Sequence, residues 1–171
     1  ELTLISEGSC TYQVHLDNYD VSEGDLLFVP PAVLHAITAS SQDGMCSETY
    51  VFHMNFLGAN SADICAVKYL TPVINQTLIL PCLINRRHPA YRDVLAIFRK
   101  ISRTYEDMPA GYELLLRSLL LQVIAALLPY GSERAVHSPL ESEHTFKLKL
   151  VLEYIGDHFA EELTIPQLAR I

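Results

Sequence analysis

The hydrophobic period of this chain changes partway along, and that change limits what it can fold into. Up to residue 57, apolar residues come in short runs or alternate with polar ones, with turn residues between them. From residue 91, Tyr91, Val94, Leu95, Phe98, Ile101 and Tyr105 recur at helical spacing, and Arg92, Arg99, Lys100 and Arg103 fall elsewhere on the wheel. A chain that is strand-like first and helical second belongs to the α+β class, with its sheet and helices segregated.

Within the first part, the pattern predicts strands over Leu2 to Ile5 and Thr11 to His15, split by Glu7-Gly8-Ser9. After a turn at Leu16-Asp17-Asn18, alternation resumes at Tyr19 and Val21. Gly24-Asp25 introduces Leu26 to Val29, and Pro30-Pro31 ends it. A strand from Val33 to Ala39, a polar turn over Ser40 to Gly44, and a long strand from Met45 to Phe56 complete a set expected to close as a sandwich or barrel.

In the second part, a helix from Tyr91 to Tyr105 is broken by Met108-Pro109-Ala110-Gly111. A second helix, Tyr112 to Leu128, is apolar nearly all round, which implies burial on more than one side, by its own domain and by a partner. Its most apolar stretch, Leu114 to Leu128, falls short of the roughly 20 residues a bilayer core needs, so no membrane span is expected. Residues 131–142 read as an exposed linker, followed by a helix from His144 to Phe159 with the stripe Leu148, Val151, Leu152, Ile155 and Phe159. Thr164-Ile165-Pro166-Gln167 has the form of a capping box, so another helix opens there and the chain is expected to be a fragment, cut inside a small helical domain.

Charge excludes some functions. Residues 1–85 hold nine acidic residues and one lysine, Lys68, whereas residues 86–171 balance eleven against eleven. Such a surface repels a phosphate backbone, so DNA contact is expected only through residues outside this chain. The four cysteines, Cys10, Cys46, Cys65 and Cys82, form no CxxC pair and read as buried small hydrophobes in a reducing compartment. No basic, apolar leader opens the chain, and the expected location is the cytoplasm.

The segment Gly24-Asp25-Leu26-Leu27-Phe28-Val29-Pro30-Pro31-Ala32-Val33-Leu34-His35 resembles the second cupin motif. Gly24, Pro30 and His35 match, while Ala32 stands for the second Gly and Ala39 for the Asn. The stretch Leu150 to Ile155, Phe159 and Leu163 to Ala169 is similar to the opening of the DNA-binding domain of AraC/XylS-type transcription regulators. Both motifs in this order resemble that family, and the resemblance implies an architecture: a cupin-like β-barrel or jelly roll over 1–86 that binds an effector, and a helical dimerisation segment over 87–130. It further implies a linker over 131–143 and the truncated start of a helix-turn-helix domain over 144–171, from a bacterial regulator that works as a homodimer. An effector domain of this kind commonly has another strand or two before the position of Glu1.

The resemblance also implies a small-molecule effector, a sugar in the best-known relatives. It places Glu48 and Tyr50 at the ligand, Glu7 where a relative has a charged sugar-binding residue, and Ile37 where one has an aromatic. Tyr12 and His35 complete the candidate ligand-binding set. Alternation puts Glu48, Tyr50, Phe52 and Met54 on one face of their strand and Thr49, Val51, His53 and Asn55 on the other. No cofactor, metal or catalytic residue is expected. The first cupin motif, with its His-x-His, is missing, and His15 and His53 are isolated. Glu7 and Glu48 as a converging pair would serve sugar hydroxyls as well as catalysis. The competing classes are a small cupin enzyme, marked by bound metal, and a cupin interaction module without a small ligand, marked by an apolar, filled barrel.

Overall fold

The computed structural model describes residues 1–60, 62–133, 147, 150–152, 154–159 and 161–170, with only the backbone given for 39–43. The chain divides into two units, Glu1–Glu133 and Arg134–Ile171.

The first unit is built on β1 (Leu2–Val14), which pairs antiparallel with β2 (Asp17–Ser22), β3 (Leu26–Phe28) and β4 (His35–Tyr50). A short β6 (Leu83–Ile84) pairs with β3, and the resulting antiparallel sheet curls into a half-barrel. Between β4 and β6 come a 3-10 turn at Met54–Leu57, a π-turn at Ala66–Leu70, α1 (Thr71–Ile74) and β5 (Leu78–Ile79). The helical pair α2 (Tyr91–Asp107) and α3 (Tyr112–Leu127) follows, then a 3-10 turn at Leu128–Tyr130 and β7 (Ser132–Glu133), which pairs with β5.

The expected turn at Glu7-Gly8-Ser9 is a bulge inside one continuous strand. Gly8 adopts φ +73°, and a Cβ there would be driven into the Gly44 carbonyl oxygen. The register shifts at this place, so residues 41–44 of β4 stand opposite Ser9 alone. The expected turn over Ser40 to Gly44 is likewise an excursion within β4, because β1 stays paired on both sides of it. The bulge also resets which residues face inward, from Thr3 and Ile5 before it to Cys10, Tyr12 and Val14 after it.

The strand expected to reach Phe56 stops at Tyr50. His53 Nδ1 accepts the Asn55 N–H at 3.1 Å and caps the 3-10 turn that begins at Met54. The left-handed step of the motif loop falls on Ala32, φ +60°, at the very position where cupins carry their second Gly.

Two apolar clusters hold the unit together. One lies between the sheet and the helices and includes Leu2, Leu26, Phe28, Val94, Phe98, Ile101, Val123 and Leu127. The other fills the floor of the half-barrel with Ile5, Cys10, Tyr12, Val14, Val21, Leu27, Val29 and Val33. Of the cysteines, only Cys10 is buried and Cys82 half-buried; Cys46 and Cys65 are exposed, on the outward side of β4 and ahead of the π-turn. Helix α3 with its 3-10 extension, Tyr112–Tyr130, is by length and composition apolar enough to cross a bilayer, contrary to the count from Leu114. One side of it packs into the core, with Leu119, Leu120, Val123, Ile124 and Leu127 buried, while Leu114 and Leu115 are exposed.

In the second unit, residues 147, 150–152 and 154–157 are helical, and α4 (Ile165–Leu168) starts at the expected capping box of Thr164 and Gln167. The Thr164 N–H donates to Gln167 Oε1 at 2.9 Å. Ser132–Glu133, within the expected linker, is strand-paired with β5; residues 134–146 lie outside the described residues.

Candidate functional site

Residues paired across the ladder share a face. Leu2 stands opposite Phe28 and Tyr50, Leu4 opposite Leu26 and Glu48, and Thr3 opposite Leu27 and Thr49. The first two sets face the helices, and the third faces the hollow of the half-barrel.

At the rim of that hollow, Tyr12, Thr3 and His35 converge on Glu1. The Glu1 Oε1 accepts hydrogen bonds from the Tyr12 hydroxyl at 2.8 Å and from Thr3 Oγ1 at 3.1 Å. Its Oε2 meets His35 Nε2 at 3.1 Å. Thr49 Oγ1 lies 2.9 Å from Thr3 Oγ1 and extends the polar wall along β4. The Tyr12 and His35 rings stack with centroids 6.0 Å apart and planes 10° apart.

His35 Nδ1 lies 3.1 Å from the Val33 carbonyl oxygen, so the motif loop orients the ring. Val33 O and the Glu1 carboxylate are both acceptors, so both bonds form together only when each ring nitrogen carries a proton. His35 is 31% exposed at its side chain and Ile37, beside it on β4, is 49% exposed, so this end of the wall is open to a ligand.

Burial alone would raise the Glu1 pKa; the Tyr12 hydrogen bond, the His35 charge and the Thr3 hydroxyl outweigh it and bring the group below its usual 4.5. Tyr12 is pushed up by burial and by the acceptor it is bonded to. The Cys82 thiol is pushed up to about 12 by burial, with Asp17 and Glu1 adding to it. A carboxyl that is more acidic when folded stabilises the fold above its unfolded pKa, and that stabilisation is lost as pH falls through 4.5 toward the lower folded value. The melting temperature of the natural chain is therefore expected to drop more steeply between about pH 5 and pH 3 than that of Glu1→Gln. Parallel curves from scanning calorimetry would contradict this assignment.

The structure brings Tyr12, His35 and Ile37 together in the hollow. Glu48 and Tyr50 lie on the other face of β4, under α2. Glu48 Oε1 accepts from the Tyr50 hydroxyl and from Ser102 Oγ, the latter at 2.6 Å. Tyr50 is pushed up to about 12 by burial and by its bond to Glu48, and its ring meets those of Phe98 and Tyr105 edge-on. Glu7 is exposed at the bulge and paired with Cys46 in the ladder. Glu1, Thr3 and Thr49 were not singled out from sequence. The alternation of β1 around Thr3 and Ile5 was the available signal, but the residue before a strand carries no pattern of its own.

Among the described residues, no group of three or more His, Cys, Asp or Glu side chains gathers as a metal site requires. A separate polar surface cleft of about 570 Å³ is lined by Ser22, Glu23, Asp25, Asn85, Arg86 and Arg87.

A curled antiparallel half-barrel with a polar rim, backed by two long helices, defines a cupin-like ligand-binding domain. Residues 1–124 match the family described as the AraC-like ligand binding domain, and the chain belongs to that family. It is accordingly the effector-binding part of a regulator, and its effector is a small molecule. No curated protein is matched by the chain.

Proposed function

We propose that this chain is the sensor region of a DNA-binding transcription regulator whose effector is an uncharged polyhydroxy compound of carbohydrate type, bound at the Glu1–Tyr12–His35 wall. The observation that supports this most is the chemistry of the wall. A carboxylate, an imidazole, a phenol and two threonine hydroxyls serve ligand hydroxyls, and Ile37 with the Tyr12–His35 stack offers an apolar surface for C–H groups. The first 67 residues contain no lysine or arginine to pair with an anionic ligand.

Dimerisation is assigned to the exposed strip of α3, with Leu114 and Leu115, in continuation of the helical pair. The helical segments of the second unit are read as the opening of the DNA-binding domain, so that operator contact rests on residues beyond this chain. The reading is of a cytoplasmic, non-enzymatic protein. Occupancy of the cup then biases the arrangement of the dimer by its affinity difference between two states. The filled, apolar floor favours a second reading, an interaction module without a small ligand.

A thermal-shift screen with neutral mono- and disaccharides separates the two. A cognate sugar at about 100 times its dissociation constant adds roughly 2.7 kcal/mol and raises the melting temperature by several degrees. A panel that leaves the melting temperature unmoved, while an anionic or aromatic compound raises it, contradicts the carbohydrate reading.

A further inference from the structure

Three successive residues of β4 face two different parts of the domain. Thr49 belongs to the hollow, where its hydroxyl meets Thr3 and, through Thr3, the Glu1 carboxylate. Glu48 and Tyr50, on either side of it, face α2 and meet on the Glu48 carboxylate with Ser102 Oγ. The Phe98 carbonyl oxygen one turn earlier lies 3.3 Å from Ser102 Oγ, a second and more distant acceptor for its single proton.

A carboxylate is an unusual choice for the junction between a strand and a helix. Glu48 is half-buried there, and among the described residues no basic group pairs with it. Apolar residues would join the two layers at least as firmly. What a carboxylate shared by two hydroxyls adds is sensitivity to position, since such bonds weaken steeply with distance and angle. Alternation adds a second constraint: a small turn or slide of β4 that improves the contact at Thr49 must disturb those at Glu48 and Tyr50.

We propose that residues 48–50 are the joint by which the hollow and α2 share one equilibrium. Ser102 acts as a positioning residue. It fixes Glu48 on one face of β4, and through the strand it fixes Thr49 on the other. A ligand that engages Thr49 or Thr3 changes the seat of α2, and a change in the packing of α2 changes the polar wall. This rests on the hollow being the effector site, but it concerns a coupling present without effector, so its failure and the failure of that reading are distinguishable.

A double-mutant cycle on the full chain tests it, with Thr49→Val and Ser102→Ala measured by denaturant unfolding in the absence of any ligand. Thr49 is exposed and valine keeps its shape and branching. Independent sites give additive effects to within about a factor of two. The joint predicts that Ser102→Ala lowers the folding constant about tenfold in the natural chain but threefold or less in the Thr49→Val background. Ser102→Thr, which keeps the hydroxyl, restores the wild-type value.

A second measurement does not depend on Ser102→Ala being stable. Hydrogen exchange at the amides of residues 99–105 is expected to speed up severalfold in Thr49→Val alone, although that change lies on the opposite face of the sheet. Additive effects in the cycle, or α2 exchange unchanged by Thr49→Val, would overturn the proposal.

Discussion

Changing Glu1 to glutamine is expected to weaken effector binding by about 2- to 30-fold while leaving the fold intact. Glutamine keeps the size of the side chain and an oxygen that accepts from Tyr12 and Thr3. Its amide can donate to a neutral His35 whose other nitrogen serves Val33. What disappears is the charge. Hydrogen bonds to an ionised acceptor are worth about 1.5–3 kcal/mol, against about 1 kcal/mol for neutral ones, and each 1.4 kcal/mol is about tenfold in affinity. Calorimetric titration of the natural and substituted chains with the sugar found in the thermal screen measures the ratio. An unchanged affinity would remove Glu1 from the effector site.

Valine at position 8 is expected to destabilise the domain by about 3 kcal/mol, which lowers the melting temperature by roughly 6–12 °C for a chain of this size. Two effects add there. A β-branched residue is strained at φ +73°, and its Cβ meets the Gly44 carbonyl with Met45 Cα 3.2 Å away. Gly44→Ala separates them, because Gly44 has φ +84° but open space around its Cβ position, so only the backbone strain of about 1 kcal/mol remains. Denaturant unfolding of both variants measures the difference. Equal losses would mean that the bulge is not sterically fixed.

The layers of the fold follow from the change of hydrophobic period, because Val94, Phe98 and Ile101 bury one face of α2 whatever else the chain does. The motif loop was legible for the same local reason: a Gly–Pro–His spacing is read within twelve residues, and even the Ala that replaces a glycine keeps the left-handed backbone. The bulges were not legible. Glu7-Gly8-Ser9 and Ser40 to Gly44 each have turn composition, and only their mutual pairing turns them into excursions within long strands. Face assignment failed to emerge for the same reason, since alternation in β4 gives two faces but the pairing of Thr3 with Thr49 decides which of them lines the hollow. Glu1 and Ser102 carry no sequence pattern at all, and their roles arise from contacts spanning 11 and 54 residues.

Nuclear magnetic resonance locates the bound effector directly, by titration of the labelled chain with the sugar that stabilises it. Saturable shifts centred on Tyr12, His35, Ile37 and Thr49 are expected. Shifts confined to the exposed strip of α3 or to the cleft at Arg86 and Arg87, with the hollow silent, would contradict binding there.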